Sequence, residues 1–214
     1  MSKYKVMLVE DDPLARQLLE MFINKSESYT LETAIVSASM AELYLLKSNI
    51  DLILMDVCTA LNANGIDAAE KIKKSYPHIK IIIITSQPEY SYISRAREVG
   101  VDSFWYKTVI ADEFITLLDR TMAGERIFPD TTPTLKIGNI NSSDFTEREL
   151  EVLRLVVAGE RDAEIAEKLG ITLRTVKYHV QNMKEKTGLR NRTELAVKVR
   201  DAGFVIVEPR DMKK

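Results

Sequence analysis

The first half of the chain alternates short apolar runs with amphipathic segments, and this alternation constrains the fold more than any other feature. The apolar runs are KVMLV (5–9), LETAIV (31–36), DLILM (51–55), KIIIIT (80–85) and SFWY (103–106). The helix-like segments lie at about 13–24, 39–48, 66–75, 88–99 and 111–122. Five strands that alternate with five helices are typical of a parallel sheet covered on both faces. The sequence therefore predicts a doubly wound, five-stranded α/β domain.

A stretch without sustained periodicity follows, and a helical region comes after it. GERIFPDTTPTLKIGNINSS (124–143) contains two prolines and a serine pair, which predicts an interdomain linker. Four helices are then predicted: the first three begin after the capping residues Thr146, Asp162 and Thr172, and the fourth begins near 191. We expect an α/β domain over 1–123, a linker over 124–143 and a small four-helix domain over 144–208.

Composition and charge limit the kind of protein. A chain of 214 residues, 45% hydrophobic and 29% charged, is long enough for two modest globular domains. The longest apolar stretch (79–84) is too short to cross a bilayer, and the N-terminus does not resemble a signal peptide. A single cysteine cannot form an internal disulfide and suits a reducing compartment. We therefore expect a cytoplasmic protein with no membrane partner.

The charges are divided unevenly along the chain. Residues 1–130 carry 14 Lys and Arg against 19 Asp and Glu, whereas residues 131–214 carry 16 against 13. Within 171–200 the count is 8 against 2. An acidic first half and a basic segment in the second suggest two separate roles, the second with nucleic acid.

Residues of complementary chemistry stand at the ends of four predicted strands. Glu10 and Asp11 follow the first strand, Asp56 follows the third, Thr85 ends the fourth and Lys107 follows the fifth. Because ligands of such sheets bind beyond the carboxyl ends of the strands, we expect these residues to converge. Three carboxylates in one basin need a hard cation such as Mg²⁺. The pattern predicts that Asp56 accepts a phosphoryl group, which Lys107 and Thr85 stabilise.

Simpler interpretations exist for the individual residues. The run EDDP suits a helix N-terminus, with acids near the helix dipole and Pro13 in the first turn. A phosphatase with an aspartyl nucleophile would need a second acid two residues later, where this chain has Cys58. The chain also lacks a glycine-rich phosphate loop. The joint pattern at four strand ends favours a phosphoacceptor that is not an enzyme.

Residues 1–123 resemble a CheY-like receiver domain of a two-component response regulator, which has a flavodoxin-like fold. In that family an acid pair, a phospho-accepting aspartate, a Ser or Thr and a lysine occupy the positions filled here by Glu10 and Asp11, Asp56, Thr85 and Lys107. The resemblance implies phosphorylation of Asp56 by a histidine kinase.

The same resemblance assigns further roles. It implies that Glu10, Asp11, Asp56 and the backbone carbonyl of Cys58 hold Mg²⁺, which leaves Asp12 as an extra, solvated acid. It also places the switch aromatic at Phe104, whose ring would turn inward when Thr85 moves toward the phosphoryl group. Plain core packing is the alternative for Phe104.

The chain departs from the family pattern in two loops. In DVCTALNANG, Thr59 and Ala60 stand where the family usually has Met-Pro, and Gly65 comes one residue late. Thr108 follows Lys107 in place of the usual proline. We therefore expect the loop over 57–65 to be remodelled or one residue longer, with every reacting group retained.

The basic segment ITLRTVKYHVQNMKEKTG has the periodicity of an amphipathic helix. Its inward stripe is predicted to consist of Val176, Val180, Met183 and Thr187. The outward residues are Arg174, Tyr178, Gln181 and Glu185, with Thr175, His179, Asn182 and Lys186 on one flank and Lys177 and Lys184 on the other. With the short preceding helix, this face predicts a helix-turn-helix that enters a major groove of double-stranded DNA. A merely solvated face is the alternative.

Residues 144–204 resemble the LuxR-type helix-turn-helix of the NarL/FixJ class of response regulators. The resemblance rests on FTERELEVLRLVVAG, on EIAEKLGIT, and on TVKYHV followed by RTELAV. It implies base contacts from Lys177, Tyr178 and Gln181, and phosphate contacts from Thr172, Thr175, His179 and Lys186; Arg174 and Asn182 complete the expected DNA-binding face. It also implies dimerisation through the last helix, where Leu195, Ala196 and Val199 supply an apolar face or pack inside the domain.

These features together predict a transcriptional response regulator of a two-component phosphorelay. Mg²⁺-dependent phosphorylation of Asp56 by a histidine kinase would control homodimerisation and promoter binding. The alternative is a DNA-binding regulator whose atypical receiver acts without phosphorylation.

Overall fold

The computed structural model describes residues 3–107 and 111–207, and the chain forms two compact units. The first unit comprises residues 1–86 and 91–131, and the second comprises residues 87–90 and 132–214. The first is an α/β sheet and the second is mainly helical. The predicted fold class is therefore confirmed.

The described residues contain nine strands and nine α-helices. The strands are β1 (Tyr4–Val9), β2 (Tyr29–Ile35), β3 (Leu52–Asp56), β4 (Cys58–Thr59), β5 (Ala63–Asn64), β6 (Lys80–Thr85), β7 (Ser103–Tyr106), β8 (Lys136–Ile137) and β9 (Ile140–Asn141). The helices are α1 (Pro13–Lys25), α2 (Ala41–Leu45), α3 (Gly65–Ser75), α4 (Tyr92–Glu98), α5 (Ala111–Met122), α6 (Glu147–Val157), α7 (Asp162–Leu169), α8 (Leu173–Thr187) and α9 (Arg192–Asp201). None of these helices combines the length and apolar content that a membrane span requires.

The main sheet contains the five strands that the sequence predicts, all parallel, in the order β2-β1-β3-β6-β7. Alternate residues of the central strands pack with α1 and α5 in one core, which includes Leu8, Leu54, Phe22 and Phe114. The intervening residues are also buried and face the opposite side, because side chains alternate along a strand. The order reverses at β1, so the carboxyl ends of β1 and β3 are neighbours.

The loop after β3 forms a small antiparallel hairpin of β4 and β5. Its turn holds Leu61 and Asn62 at positive φ, and the Ala60 amide donates to the Val36 carbonyl at 3.0 Å. Gly65 then passes so close to the acceptor strand that a Cβ atom there would lie 1.9 Å from the Asp56 carbonyl oxygen. The expected remodelling of this loop thus takes the form of a hairpin. Thr108, the other departure, lies outside the described residues.

The first residues after α5 add a short extension along the β7 edge of the sheet. The Phe104 amide donates to the Ile127 carbonyl at 2.8 Å, and the Ile127 amide donates to Ser103 Oγ at 3.2 Å. The Arg97 guanidinium lies 4.4 Å from the centre of the Phe128 ring. Residues 126–128, which the sequence analysis placed in the linker, therefore pack on the first unit.

The second unit packs α6, α7, α8 and α9 around one apolar core. Helix α7 already includes Asp162, so Arg161, whose backbone is extended, is its N-cap in place of the predicted Asp162. Strands β8 and β9 form a hairpin whose Ile137 is buried in this core, so residues 136–141 belong to the domain and are not a featureless linker. Leu195 and Val199 of α9 are buried in the same core, and Ala196 packs against it. Of the two interpretations of these three residues, packing inside the domain is the one observed.

The buried carboxylate of Asp102 connects three elements at the amino ends of the strands. It accepts from Lys73 Nζ at 2.6 Å, from Lys80 Nζ at 2.9 Å and from the Ile81 amide at 2.9 Å. Burial raises the pKa of Asp102, but these three donors outweigh burial and hold the pKa below its usual value.

We expect Asp102→Asn to lower the free energy of unfolding at pH 7 by about 2–3 kcal/mol, because two lysines lose their buried partner. A carboxyl with a depressed pKa stabilises the fold above its unfolded pKa, and this contribution is lost as the pH falls through the folded pKa. The deficit should therefore shrink in acid, as measured by urea unfolding between pH 7 and pH 3. Glu70→Gln, which breaks the exposed pair with Lys74, is the control and should leave the midpoint unchanged. A deficit that is independent of pH would contradict the assignment.

Candidate functional site

Three carboxylates gather beyond the carboxyl ends of β1 and β3. Glu10 and Asp11 follow β1, and Asp56 is the last residue of β3. One oxygen from each of the three lies within 4.8 Å of the others. Glu10 is 0% and Asp56 is 6% exposed, whereas Asp11 faces solvent. The predicted convergence of these acids is therefore observed, and it follows from the pairing of β1 with β3.

The Lys107 ammonium lies between the two buried carboxylates. Its Nζ is 2.6 Å from Glu10 Oε2 and 2.9 Å from Asp56 Oδ2. The Lys107 amide donates to the Thr85 carbonyl at 2.9 Å, which fixes the backbone of the lysine at the end of β6. The other oxygen of Asp56, Oδ1, accepts from the Val57 amide at 2.7 Å. Both oxygens of Asp56 are thus held in place by donors.

Burial dominates the electrostatics of this cluster. It raises the pKa of Asp56 to about 7 against the attraction of Lys107, and repulsion from Glu10 adds to the increase. Burial lowers the pKa of Lys107, but attraction to Asp56 and Glu10 outweighs it, so this pKa lies above its usual value. One ammonium therefore compensates the charge of two buried carboxylates only in part.

The donor set fits a hard divalent cation. Glu10 Oε2 is buried beside the Lys107 ammonium, and among the described residues no donor is aligned for a hydrogen bond to it. Carboxylate oxygens are the ligands that Mg²⁺ prefers, and Asp11 opens the cluster to solvent. Glu10, Asp11 and Asp56 are therefore the described side chains that could hold such an ion.

The third acid of the opening run has a separate role. Asp12 is exposed, and its Oδ1 accepts from the amides of Leu14 at 2.9 Å and Ala15 at 2.8 Å. It is therefore the N-cap of α1. The helix-terminus interpretation of EDDP is thus correct for Asp12 and for Pro13, which begins α1.

The remaining receiver residues lie on β6, β7 and β4. Thr85 ends β6, is buried and pairs with Tyr106 in register. Phe104 is 1% exposed, with its ring centre 5.1 Å from that of Tyr106, so the ring already points inward. Cys58 begins β4, with its Sγ 3.5 Å from the Tyr92 hydroxyl.

Helix α8 presents the polar face that the sequence predicts. Val176, Met183 and Thr187 are buried and Val180 is partly buried, which confirms the inward stripe. The exposed residues are Thr172, Arg174, Lys177, Tyr178, Gln181, Glu185 and Lys186, and the half-buried ones are Thr175, His179 and Asn182. Thr172 Oγ1 caps the helix by accepting from the Thr175 amide at 3.1 Å. Gly170 ends α7 in the left-handed conformation, which completes a helix-turn-helix.

One contact of this face was missed by sequence reasoning. Lys186 Nζ lies 2.8 Å from Glu149 Oε2, and Glu149 is 3% exposed. The same carboxylate accepts from the Thr146 amide at 2.9 Å in the predicted capping box of α6. The capping box was readable from the sequence, whereas the partner 37 residues away was not.

The fold and these two sites define a class of protein: a regulator that joins an α/β input domain with an acidic site to a helix-turn-helix domain. Residues 6–119 match the response regulator receiver domain family, and residues 143–199 match the luxR family of bacterial regulatory proteins. The chain belongs to the DNA-binding two-component response regulators of the LuxR family. This is a family of transcription factors and not of enzymes.

Individual relatives agree with this assignment. The response regulator protein VraR of Staphylococcus aureus (strain Mu3 / ATCC 700698) is 32% identical over 200 residues, which cover 90% of this chain and 94% of VraR. The structure of RcsB from Salmonella enterica serovar Typhimurium, bound to promoter rprA in the presence of phosphomimetic BeF₃⁻, has a TM-score of 0.61 at 20% identity and covers 92% of this chain and 98% of RcsB. A structure of two RcsB dimers bound to two parallel DNAs has a TM-score of 0.63 at 19% identity. The match covers 93% of this chain and 98% of that RcsB chain. These structures share the fold.

We expect Lys186→Met to lower the free energy of unfolding at pH 7 by about 1 kcal/mol, because Glu149 would stay buried without its cation. Burial raises the pKa of Glu149, but the bonds from Lys186 and Thr146 outweigh it and the pKa is lowered. The contribution is therefore present above the usual pKa of glutamate and is lost as the pH falls through the folded pKa. Urea unfolding at pH 7 and pH 3 measures it. Lys177→Met on the same helix is the control, and an equal loss there would contradict a specific role of the pair.

Proposed function

We propose that Asp56 accepts a phosphoryl group from a histidine kinase in a Mg²⁺-dependent reaction, and that this controls dimerisation and promoter binding in the cytoplasm. One observation carries the proposal: Lys107 Nζ lies 2.9 Å from Asp56 Oδ2, and oxygens of Glu10 and Asp11 lie within 4.8 Å of an Asp56 oxygen. A buried, oriented carboxylate beside a cation is what a phosphoryl acceptor requires.

In the transfer, an Asp56 oxygen forms a bond to phosphorus while the phosphorus–nitrogen bond of the kinase phosphohistidine breaks. The electron pair of the broken bond stays on the imidazole nitrogen, and the ring, which carries a proton on its other nitrogen, leaves as neutral imidazole, so atoms and charge balance. Lys107 is placed to stabilise the negative charge on the transferred group, and the Thr85 hydroxyl, at the end of the neighbouring strand, would donate to a phosphoryl oxygen. Glu10, Asp11, Asp56 and the Cys58 carbonyl would hold Mg²⁺, which when bound neutralises the carboxylates and the phosphoryl oxygens.

A continuous path links this site to the edge of the sheet. The Lys107 amide is bonded to the Thr85 carbonyl, Thr85 pairs with Tyr106, and the Tyr106 ring contacts Phe104. A shift of Thr85 toward a phosphoryl group would therefore disturb the packing of two aromatic rings on β7. We propose Thr85 and Phe104 as the elements that bias the receiver between two states.

For DNA binding, we propose that α8 enters the major groove. Its exposed centre supplies Lys177, Tyr178 and Gln181 for base edges, with Arg174 beside them. The phosphate contacts would come from residues along its flank: Thr172, Thr175, His179, Asn182 and Lys186. The Lys186 side chain remains 37% exposed beside Glu149, so the ion pair does not bury it. The RcsB dimers on DNA support a dimeric assembly, for which α9 would offer its exposed side, including Val197.

We expect wild-type protein incubated with acetyl phosphate and Mg²⁺ to gain one hydroxylamine-sensitive phosphate, as measured by intact mass. Asp56→Asn should gain none, because an amide is not a nucleophile toward phosphorus. Asp12→Asn is the matched control: asparagine also caps a helix, and labelling should persist. Labelling that persists in Asp56→Asn would place the acceptor elsewhere. A wild type that is never labelled would favour the phosphorylation-independent alternative.

We expect Gln181→Ala to reduce discrimination at one position of the DNA site by about 1–3 kcal/mol, while its salt dependence stays unchanged. The measurement compares enrichment from a random-sequence duplex pool for the wild type and the variant. Glu42→Gln, an exposed change on α2 of the first unit, serves as the control and should enrich the same sequences as the wild type. An unaltered preference in Gln181→Ala would remove α8 from base reading.

A further inference from the structure

The turn of the β8–β9 hairpin lies directly against the end of α8. The Asn139 amide donates to the carbonyl of Thr187, the last residue of the helix, at 2.9 Å. Gly138 has φ +59°, and a Cβ atom at this position would lie 2.1 Å from the Thr187 oxygen. The contact therefore joins backbone to backbone, and a side chain at residue 138 would push the two apart.

This contact satisfies a group that the helix cannot satisfy by itself. The last carbonyls of an α-helix have no partner within the helix. In α8 the Gly188 amide donates to the Lys184 carbonyl, and the Thr187 hydroxyl donates to the Met183 carbonyl. The Thr187 carbonyl accepts from the hairpin. Because Thr187 is buried, loss of the Asn139 amide would leave its carbonyl without this donor in a site with little access to water.

The hairpin itself is anchored on both sides of the contact. Ile137 is buried in the core that α8 also enters. At the base of the hairpin, the Leu135 amide donates to Ser142 Oγ at 3.0 Å, and the Ser142 amide donates to the Leu135 carbonyl at 2.8 Å. On the helix side, Gly188 is so close to Asn139 that a Cβ atom there would lie 2.3 Å from Nδ2. A glycine therefore stands on each side of the contact, Gly138 in the hairpin and Gly188 after the helix.

We propose that Gly138 and the backbone amide of residue 139 position α8 for DNA recognition: the hairpin turn holds the C-terminal end of α8 and thereby fixes the direction in which the helix presents its outward face. The inference rests on the proposed role of α8 as the base-reading helix. Thr172 caps the first turn of α8 through its own side chain, whereas the last turn depends on this hairpin and on the Lys186–Glu149 pair.

Positioning and stability have different consequences for binding. Hydrogen bonds to base edges require side chains held close to one geometry, whereas attraction to phosphates tolerates small movements of the helix. A helix that is loosened at one end should therefore lose affinity for its preferred sequence while it keeps affinity for DNA in general. A variant that merely unfolds a fraction of the protein would lower both affinities by the same factor.

The test uses the full chain and compares Gly138→Ala with Gly159→Ala. Gly159 also has positive φ, at +84°, but a Cβ atom there meets nothing within 4 Å, so it reproduces the backbone strain without the clash. The probes are a duplex enriched by the wild type from a random-sequence pool and a scrambled duplex of the same composition. We expect Gly138→Ala to reduce the ratio of the two affinities by about tenfold, with scrambled-duplex affinity and salt slope unchanged. Gly159→Ala should keep the wild-type ratio.

Asn139→Ala provides a second variant, because it keeps the backbone amide and removes only the side chain; its ratio should remain close to that of the wild type.

If Gly138→Ala does not fold, hydrogen exchange of the hairpin in the wild-type protein tests the proposal instead. Residues 136–141 should gain protection with the enriched duplex and less with the scrambled one, and equal protection would overturn the proposal. A folded Gly138→Ala protein with the wild-type ratio would overturn it, as would equal losses in Gly138→Ala and Gly159→Ala. Gln181→Ala in the same assay tests the role of α8 separately: if its preference is unchanged, the base-reading assignment fails whatever Gly138→Ala shows.

Discussion

The ion pair of Lys107 with Glu10 and Asp56 is the interaction on which the organisation of the acidic site depends. Two carboxylates that are almost fully buried, at the ends of adjacent strands, repel each other and have lost their hydration. The Lys107 ammonium contacts both, and its backbone is bonded to Thr85. One residue after β7 therefore connects the carboxyl ends of β1, β3 and β6. A change in the charge of Asp56 would alter the contacts of this lysine, and a reaction at that one side chain would therefore affect several strands.

The second unit also contains a buried carboxylate that is paired with a lysine, and there the pair joins two helices. Glu149 is buried at the start of α6, and Lys186 reaches it from the far end of α8. The pair joins the N-terminus of one helix to the C-terminus of another, while the hairpin turn at Gly138 satisfies the last carbonyl of α8. The C-terminal end of α8 is thus held by two contacts whose partners lie far away in sequence.

The sequence predicted the features that depend on periodicity and strand order. All five apolar runs are strands of one parallel sheet, and the convergence of Glu10, Asp11 and Asp56 follows from the neighbouring positions of β1 and β3. Local context changed the limits of two helices. Helix α4 begins at Tyr92 and not near residue 88, since residues 87–90 belong to the second unit. Helix α2 is reduced to Ala41–Leu45 behind a short 3₁₀ turn.

Other features had no signal in the sequence. The strands of both hairpins are two residues long, which is too short to show an alternating pattern. An apolar stripe such as Leu195 and Val199 looks the same whether it faces a core or a second subunit, and only the packing of α9 decides between them. Lys186 was assigned to DNA from its place on the helix, and its buried partner could be found only in three dimensions.

The segment along the edge of β7 has a practical consequence for work on the separate domains. An outer strand with unpaired amides is a template for pairing with other chains and so for aggregation. A fragment that stops at residue 123 would remove Ile127, the partner of the Phe104 amide, and Phe128, which packs on Arg97. An isolated receiver fragment should therefore extend to residue 131, so that its own chain shields the sheet margin from self-association.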